Sequence, residues 1–218
     1  MALLVLLTGC SAPDDGPIQY GPTSLMSRSS PPPIAPGDPV PLQSATPGII
    51  VAPVGSNATC QLGMTAAQGQ GENQVRYAIV GKECAAPVGT QIENVDARAL
   101  LGTIAAVVRG GNGTWSAVAV KLEPGVGWSV SAPGAVANAG DKVKVMGIGE
   151  RFRVEIEPNR LLRLSGFTSP AGRSGAAVLD SEGQIVAISA GDGAAAIPIS
   201  EFFSATAATP GLEGLVLL

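Results

Sequence analysis

The sequence predicts an all-β protein, a barrel or a sandwich, from three observations. Short runs rich in β-branched residues recur between turns that contain Gly, Asn or Pro, as in RYAIVG, TIAAVV, KVKVMGIG, RFRVEIE and QIVAISA. The chain contains 29 glycines, which suit tight turns and bends in strands. No amphipathic helical pattern of ordinary length interrupts these runs. We therefore expect eight or nine short strands and one short helix, SEFFSATA, at residues 200–207.

The N-terminal segment MALLVLLTGC ends in Leu-Thr-Gly-Cys, with the cysteine at Cys10. This ending resembles the lipobox of bacterial lipoproteins, in which the cysteine is lipidated and becomes the mature N-terminus. The apolar run carries no Lys or Arg, unlike an ordinary signal peptide, so we expect the true translation start to lie upstream or the sequence to be truncated. Residues 1–9 are then the remnant of a signal peptide. No later run reaches the roughly 18 apolar residues that a membrane span needs. The sequence predicts an exported protein, anchored to the bacterial cell membrane through a lipid on Cys10.

Residues 10–55 are predicted to be the lipidated cysteine followed by a linker. Eleven of the 18 prolines fall between residues 11 and 53, among Ser, Gly and Asp. Such a composition favours extended polyproline conformations, so this tether could reach on the order of 100 Å. We assign no activity to it.

The segment GFTSPAGRSGAAVLDSEGQIVAISAG, residues 166–191, resembles the serine loop of trypsin-like serine proteases. Gly172, Ser174 and Gly175 hold its G-x-S-G core, which places Ser174 at the position of the nucleophile. The resemblance implies that the backbone N–H groups of Gly172 and Ser174 form an oxyanion-type pocket. It also implies that an edge made of Ser189, Ala190 and Gly191 pairs with an extended peptide.

Two further segments extend this resemblance. Residues 60–84 begin with CQLG and end with YAIVGKEC, like the first hairpin of these enzymes, and Glu83 then stands where the family has its catalytic histidine. LLGTIAAVVRGGNGTWSAVAVKL, residues 100–122, is similar to a stretch of bacterial streptogrisin-like proteases, and it places Ser116 at the position of the catalytic aspartate. The resemblance implies a two-barrel, chymotrypsin-like domain over residues 56–207, with a C-terminal tail at 208–218.

The chain contains no histidine, and the family's mechanism needs an imidazole to accept the proton of the serine. We therefore expect Glu83, Ser116 and Ser174 to be a degenerate triad, with no catalytic residue. The predicted function is that of a pseudoprotease, which binds a peptide or protein at the cell envelope. Two alternatives stay open: an active serine hydrolase that uses Ser174 with Glu83 as base, and a scaffold subunit of the envelope.

Three cysteines remain to be assigned. If Cys10 carries lipid, Cys60 and Cys84 are the only possible intrachain disulfide in an oxidising exterior. Two free thiols are the alternative. No metal site is expected, because two cysteines without histidine form no recognisable zinc set, and nothing implies another cofactor.

The formal net charge of −4 argues against binding to nucleic acid or to an anionic membrane surface, either of which would favour a basic stripe. In RFRVEIE, period-2 alternation puts Arg151, Arg153, Glu155 and Glu157 on one strand face, where opposite charges offset each other. The sequence therefore predicts an ordinary solvated face there.

Overall fold

A computed structural model describes residues 44–191 and 193–218 of the chain. The predicted signal remnant, Cys10 and most of the predicted linker lie outside the described residues. Thirteen strands and one α-helix form within the described part, and the strands close into two antiparallel barrels.

The first barrel has six strands: β1 (Ile50–Pro53), β2 (Cys60–Gln68), β3 (Val75–Gly81), β4 (Gln91–Asn94), β5 (Ala99–Gly110) and β6 (Trp115–Leu122). They pair in the order β1-β4-β5-β6-β3-β2, and pairing of β1 with β2 closes the ring. Strands β5 and β6 form a long hairpin, in which Gly110 pairs with Trp115 and Gly102 with Leu122.

The second barrel has six shorter strands: β7 (Lys142–Val145), β8 (Arg151–Ile156), β9 (Leu162–Ser165), β10 (Ala177–Leu179), β11 (Ile185–Ser189) and β12 (Ala195–Pro198). They close in the order β10-β11-β12-β9-β8-β7. On β7 and β8 buried and exposed residues alternate, so that Val143, Phe152 and Val154 fill the barrel interior.

The space between the barrels is a third apolar core. On β6 alternate residues serve different cores: Val118 lies inside the first barrel, whereas Ala117 and Ala119 belong to the core shared with the second. Helix α1 (Ile199–Thr206) buries Phe202 completely in this shared core, with its ring centroid 6.5 Å from that of Trp115. The two barrels are thus held together by a continuous apolar contact.

The chain ends on the first barrel. Strand β13 (Val216–Leu217) pairs with β2 at Ala66 and Ala67, and the carbonyl of Leu218 accepts a hydrogen bond from the amide of Ser131 at 2.5 Å. No helix among the described residues has both the length and the apolar character that a membrane crossing requires.

The sequence located the strongest strands and the helix, and α1 begins and ends one residue before the predicted 200–207. Two strands lie outside the expected domain limits of 56–207. Strand β1 lies in the predicted linker and β13 in the predicted tail. Both are very short, and β1 contains Pro53, so neither shows an alternating pattern that would distinguish it from a loop.

The predicted charge pattern of β8 is confirmed in part, because Arg151, Arg153 and Glu155 are exposed on one face of the strand. The strand ends at Ile156, so Glu157 lies beyond it and does not share the face of Arg151 and Arg153. The neighbouring strands, which the sequence pattern did not connect to β8, also contribute charges to that face.

Candidate functional site

The loop that carries Ser174 is seated directly on the first barrel. The amide of Gln61 donates a hydrogen bond to the carbonyl of Ser174 at 2.8 Å. A Cβ atom at Gly175 would overlap the carbonyl oxygen of Gln61 and the amide nitrogen of Gly81, and one at Gly63 would overlap the carbonyl of Gly175. Because these positions lack side chains, backbone meets backbone and the loop fills the space between the barrels at this point.

Ser174 is buried in this contact. Only 1% of its surface is exposed, and its Oγ has no hydrogen-bond partner within the described part of the chain. A Cβ atom at Gly81 would overlap that Oγ. The hydroxyl at the nucleophile position is therefore covered by the end of β3 and has no base bonded to it.

Glu83 follows β3 in a short 3-10 turn, Lys82–Cys84, and its side chain is exposed. Gly191 lies close to both Glu83 and Ser174. A Cβ atom at Gly191 would lie 2.5 Å from the Cβ of Ser174 and 2.6 Å from Oε1 of Glu83. The structure thus brings Glu83 and Ser174 to the same glycine, as their motif positions suggested.

Ser116 does not complete a triad through hydrogen bonds. Gly81 pairs with Ala117, so Ser116 lies one residue further along β6, beside the turn that carries Glu83. By strand alternation it shares the side of Val118, which faces the interior of the first barrel. It is partly buried, and no hydrogen bond joins its hydroxyl to Glu83 or Ser174.

The predicted oxyanion-type pocket retains one of its two donors. Gly172 has φ +73°, and a Cβ atom there would lie 2.5 Å from Oγ1 of Thr59, so both conformation and space favour glycine. The amide of Arg173 donates to the carbonyl of Pro170 at 3.1 Å, but the amides of Gly172 and Ser174 donate to no backbone group of the described residues. The N–H group of Gly172, which is half-buried, could still donate to an anionic oxygen, whereas that of Ser174 is buried with its residue.

The predicted peptide-binding edge is largely engaged within the barrel. The carbonyl of Ser189 accepts from Gly175 at 2.8 Å, and its amide donates to Ala176 at 2.8 Å. The amide of Ala190 donates to Ala195 at 2.9 Å, and that of Gly191 has only a 3.4 Å contact with Oγ of Ser189. An extended peptide would find its main-chain partners mainly at Gly191, the end of this edge.

The predicted disulfide is confirmed. Cys60 and Cys84 are bonded, with their Cα atoms 5.8 Å apart, and both are completely buried. The bond ties the start of β2 to the turn that carries Glu83. Among residues 44–191 and 193–218, no group of three or more His, Cys, Asp or Glu is arranged to hold a metal ion.

Two residues that shape this site, Gly63 and Gly81, were not identified from the sequence. Gly191 was identified as part of the peptide-binding edge, but its packing against Ser174 and Glu83 was not predicted. A glycine inside a strand pattern is a signal of close backbone approach, and Gly63 and Gly81 both fit it. The sequence did not reveal what approaches them, because the serine loop lies more than 90 positions away in the chain.

Comparison with solved structures identifies the fold. The chain is similar to the "Alpha-lytic protease homolog N4", with a TM-score of 0.53 and 17% identity, over 72% of this chain and 93% of that one. It is also similar to protease A of Thermobifida fusca, with a TM-score of 0.58 and 16% identity, over 80% of this chain and 98% of that one. No protein-family profile and no curated protein sequence matches. The protein therefore has the two-barrel, chymotrypsin-like fold of serine proteases, which confirms the predicted fold class.

Proposed function

We propose that this protein is an exported, lipid-anchored lipoprotein whose trypsin-like domain is catalytically inactive and acts by binding a peptide or protein at the cell envelope. The observation that carries the proposal is the burial of Ser174 and the lack of a hydrogen bond to its hydroxyl within the described part of the chain. The sequence contains no histidine.

A serine nucleophile needs a base within hydrogen-bond reach and an open approach for the carbonyl carbon of the substrate. No base is bonded to the hydroxyl of Ser174 within the described part of the chain. The approach to it is closed, because Gly81 and Gly191 pack against its side chain. The N–H group of Gly172 supports a binding role instead, since this half-buried residue donates to no backbone group of the described residues and can still bind a carbonyl or carboxylate oxygen of a partner.

We expect the purified protein to show no Ser174-dependent cleavage of peptide or ester substrates between acid and neutral pH, and no labelling of folded protein by a fluorophosphonate probe. Ser174→Ala should leave the free energy of unfolding within about 1 kcal/mol of the wild type, because the lost hydroxyl is an unpaired buried polar group. An active trypsin-like protease, assayed in parallel, serves as the positive control. Cleavage that disappears in Ser174→Ala would overturn the proposal.

One observation favours a second candidate, a serine hydrolase assisted by a carboxylate. Oε1 of Glu83 and Cβ of Ser174 meet at the same side of Gly191, so a small shift of Gly191 would bring the two groups towards each other. In that case activity should disappear in both Ser174→Ala and Glu83→Gln. The first candidate predicts that neither substitution changes turnover.

The lipid anchor is tested separately. The lipobox is tested by fusing a complete lipoprotein leader upstream of Leu7 and expressing the protein in a bacterial host. The wild type should incorporate labelled fatty acid and sediment with membranes, because Leu7, Thr8 and Gly9 precede Cys10 as in a lipobox. Cys10→Ala should lose the label completely, whereas the neighbouring substitution Ser11→Ala should keep it. Fatty-acid incorporation that persists in Cys10→Ala would contradict the lipobox interpretation.

A further inference from the structure

The outer surface of β7, β8 and β9 is strongly cationic. Its five exposed basic side chains are Lys142, Lys144, Arg151, Arg153 and Arg163. We call this surface the cationic face. It holds five of the 13 Lys and Arg residues of a chain whose formal net charge is −4. One carboxylate, that of Glu155, shares the face, opposite Arg163.

Strand register places like charges directly opposite each other. Lys142 pairs with Arg153 across β7 and β8, and Lys144 pairs with Arg151. Like charges at directly opposed positions destabilise an antiparallel pair. Two such pairs side by side therefore oppose folding, and this cost is relieved when an anionic surface binds.

No acidic side chain of the described residues neutralises the face through an ion pair. Among residues 44–191 and 193–218, none of the five basic side chains has a hydrogen bond or an ion pair. The nearby carboxylates of Asp141 and Asp180 accept hydrogen bonds from backbone amides at 2.7 and 2.9 Å, within their own turns. Asp141 and Asp180 line one pocket with Lys142 and Arg151 and offset part of their charge, but Lys144, Arg153 and Arg163 lie outside that pocket.

The arrangement of the basic side chains favours a ligand that presents an extended surface. The basic side chains alternate with buried residues on three adjacent strands, so they spread over one side of the barrel rather than line a cleft. The outward positions of these strands hold no aromatic residue on which bases could stack, as single-stranded nucleic acid would require. Ile156, which is 57% exposed, adds an apolar side chain at the end of β8.

We propose that the cationic face docks the domain onto a bilayer surface rich in anionic phospholipid. Each basic side chain near such a surface favours binding, and the attraction falls off within a Debye length. The proposal concerns the folded domain and does not depend on a lipid at Cys10.

The test uses the full chain with Cys10→Ala, which cannot be lipidated at that position, and measures sedimentation with vesicles. The protein should bind vesicles that contain about one third phosphatidylglycerol, and not vesicles of phosphatidylcholine alone. Binding should weaken steeply as NaCl rises from about 0.05 M to about 0.5 M. Adding Arg151→Gln and Arg153→Gln should reduce the partition coefficient about 25-fold, since each lost cation weakens it about fivefold.

The matched control is Arg109→Gln with Lys121→Gln, which removes two exposed cations from the first barrel and changes the net charge equally. It should change the partition coefficient less than about twofold. The Arg151/Arg153 variant should melt about 2 °C higher than its parent at low salt, because each substitution removes one member of a like-charge pair.

Several results would overturn the proposal: no sedimentation with anionic vesicles, equal binding to neutral vesicles, or an equal loss in the control variant. So would tighter binding to a single-stranded oligonucleotide than to vesicles, abolished by the same double substitution. That result would assign the cationic face to nucleic acid.

Discussion

Replacing Gly175 with alanine is expected to lower the free energy of unfolding by about 3–6 kcal/mol. Gly175 has φ +85°, a conformation that costs an L-residue about 1–2 kcal/mol. Its Cβ would also overlap the carbonyl oxygen of Gln61 and the amide nitrogen of Gly81. Both are main-chain atoms, so no rotamer change relieves the overlap, and overpacking adds about 1–3 kcal/mol. Loss of the bond between Gln61 and Ser174 adds about 1 kcal/mol.

Gly183→Ala is the matched control. Gly183 has φ +81°, and a Cβ atom there would meet nothing within 4 Å. This substitution should therefore cost only the conformational part, about 1–2 kcal/mol. Urea denaturation of both variants measures the difference. Equal losses would show that the serine loop is not clamped against the first barrel, and the argument for a covered Ser174 would lose its structural basis.

The strand pattern predicted the fold class because alternation and turn residues are local properties. RYAIVG and RFRVEIE became β3 and β8 with a change of one residue each, and TIAAVV became the middle of the longer strand β5. β1 and β13 were missed because each is a short segment that becomes a strand only through pairing, β1 with β2 and β4, and β13 with β2.

The sequence predicted where the candidate site lies, but it did not predict that the serine hydroxyl is buried. The motif around Ser174 indicated which residue would stand at the nucleophile position, and the Cys60–Cys84 bond followed from the first hairpin. The sequence did not show that the hydroxyl is buried, because Gly81, which covers it, lies far from Ser174 in the chain, and the contact with Gly191 depends on how the segment 166–191 folds. The cationic face was not predictable for a similar reason. Its charges come from three strands, and only the pairing of those strands brings them together.

Removing the disulfide is expected to have a similarly large effect. Cys60→Ala with Cys84→Ala should lower the free energy of unfolding by about 3–4 kcal/mol, since the bond closes a loop with a sequence separation of 24. Alanine suits both positions, because each cysteine is completely buried among apolar residues of the first barrel. Thermal or urea denaturation of the double variant measures the loss.

Two controls separate the crosslink from other effects. Cys10→Ala removes the third cysteine of the chain and should leave the unfolding of the domain unchanged, because Cys10 takes no part in the bond. The reduced wild type should fall to within about 1 kcal/mol of the double variant, since both have lost the same constraint on the unfolded chain. A double variant as stable as the oxidised wild type would mean that barrel pairing alone holds β2 against the turn that carries Glu83. The disulfide would then be dispensable for the geometry at Ser174, and the clamp between the glycines and the serine loop would be the main determinant of the site.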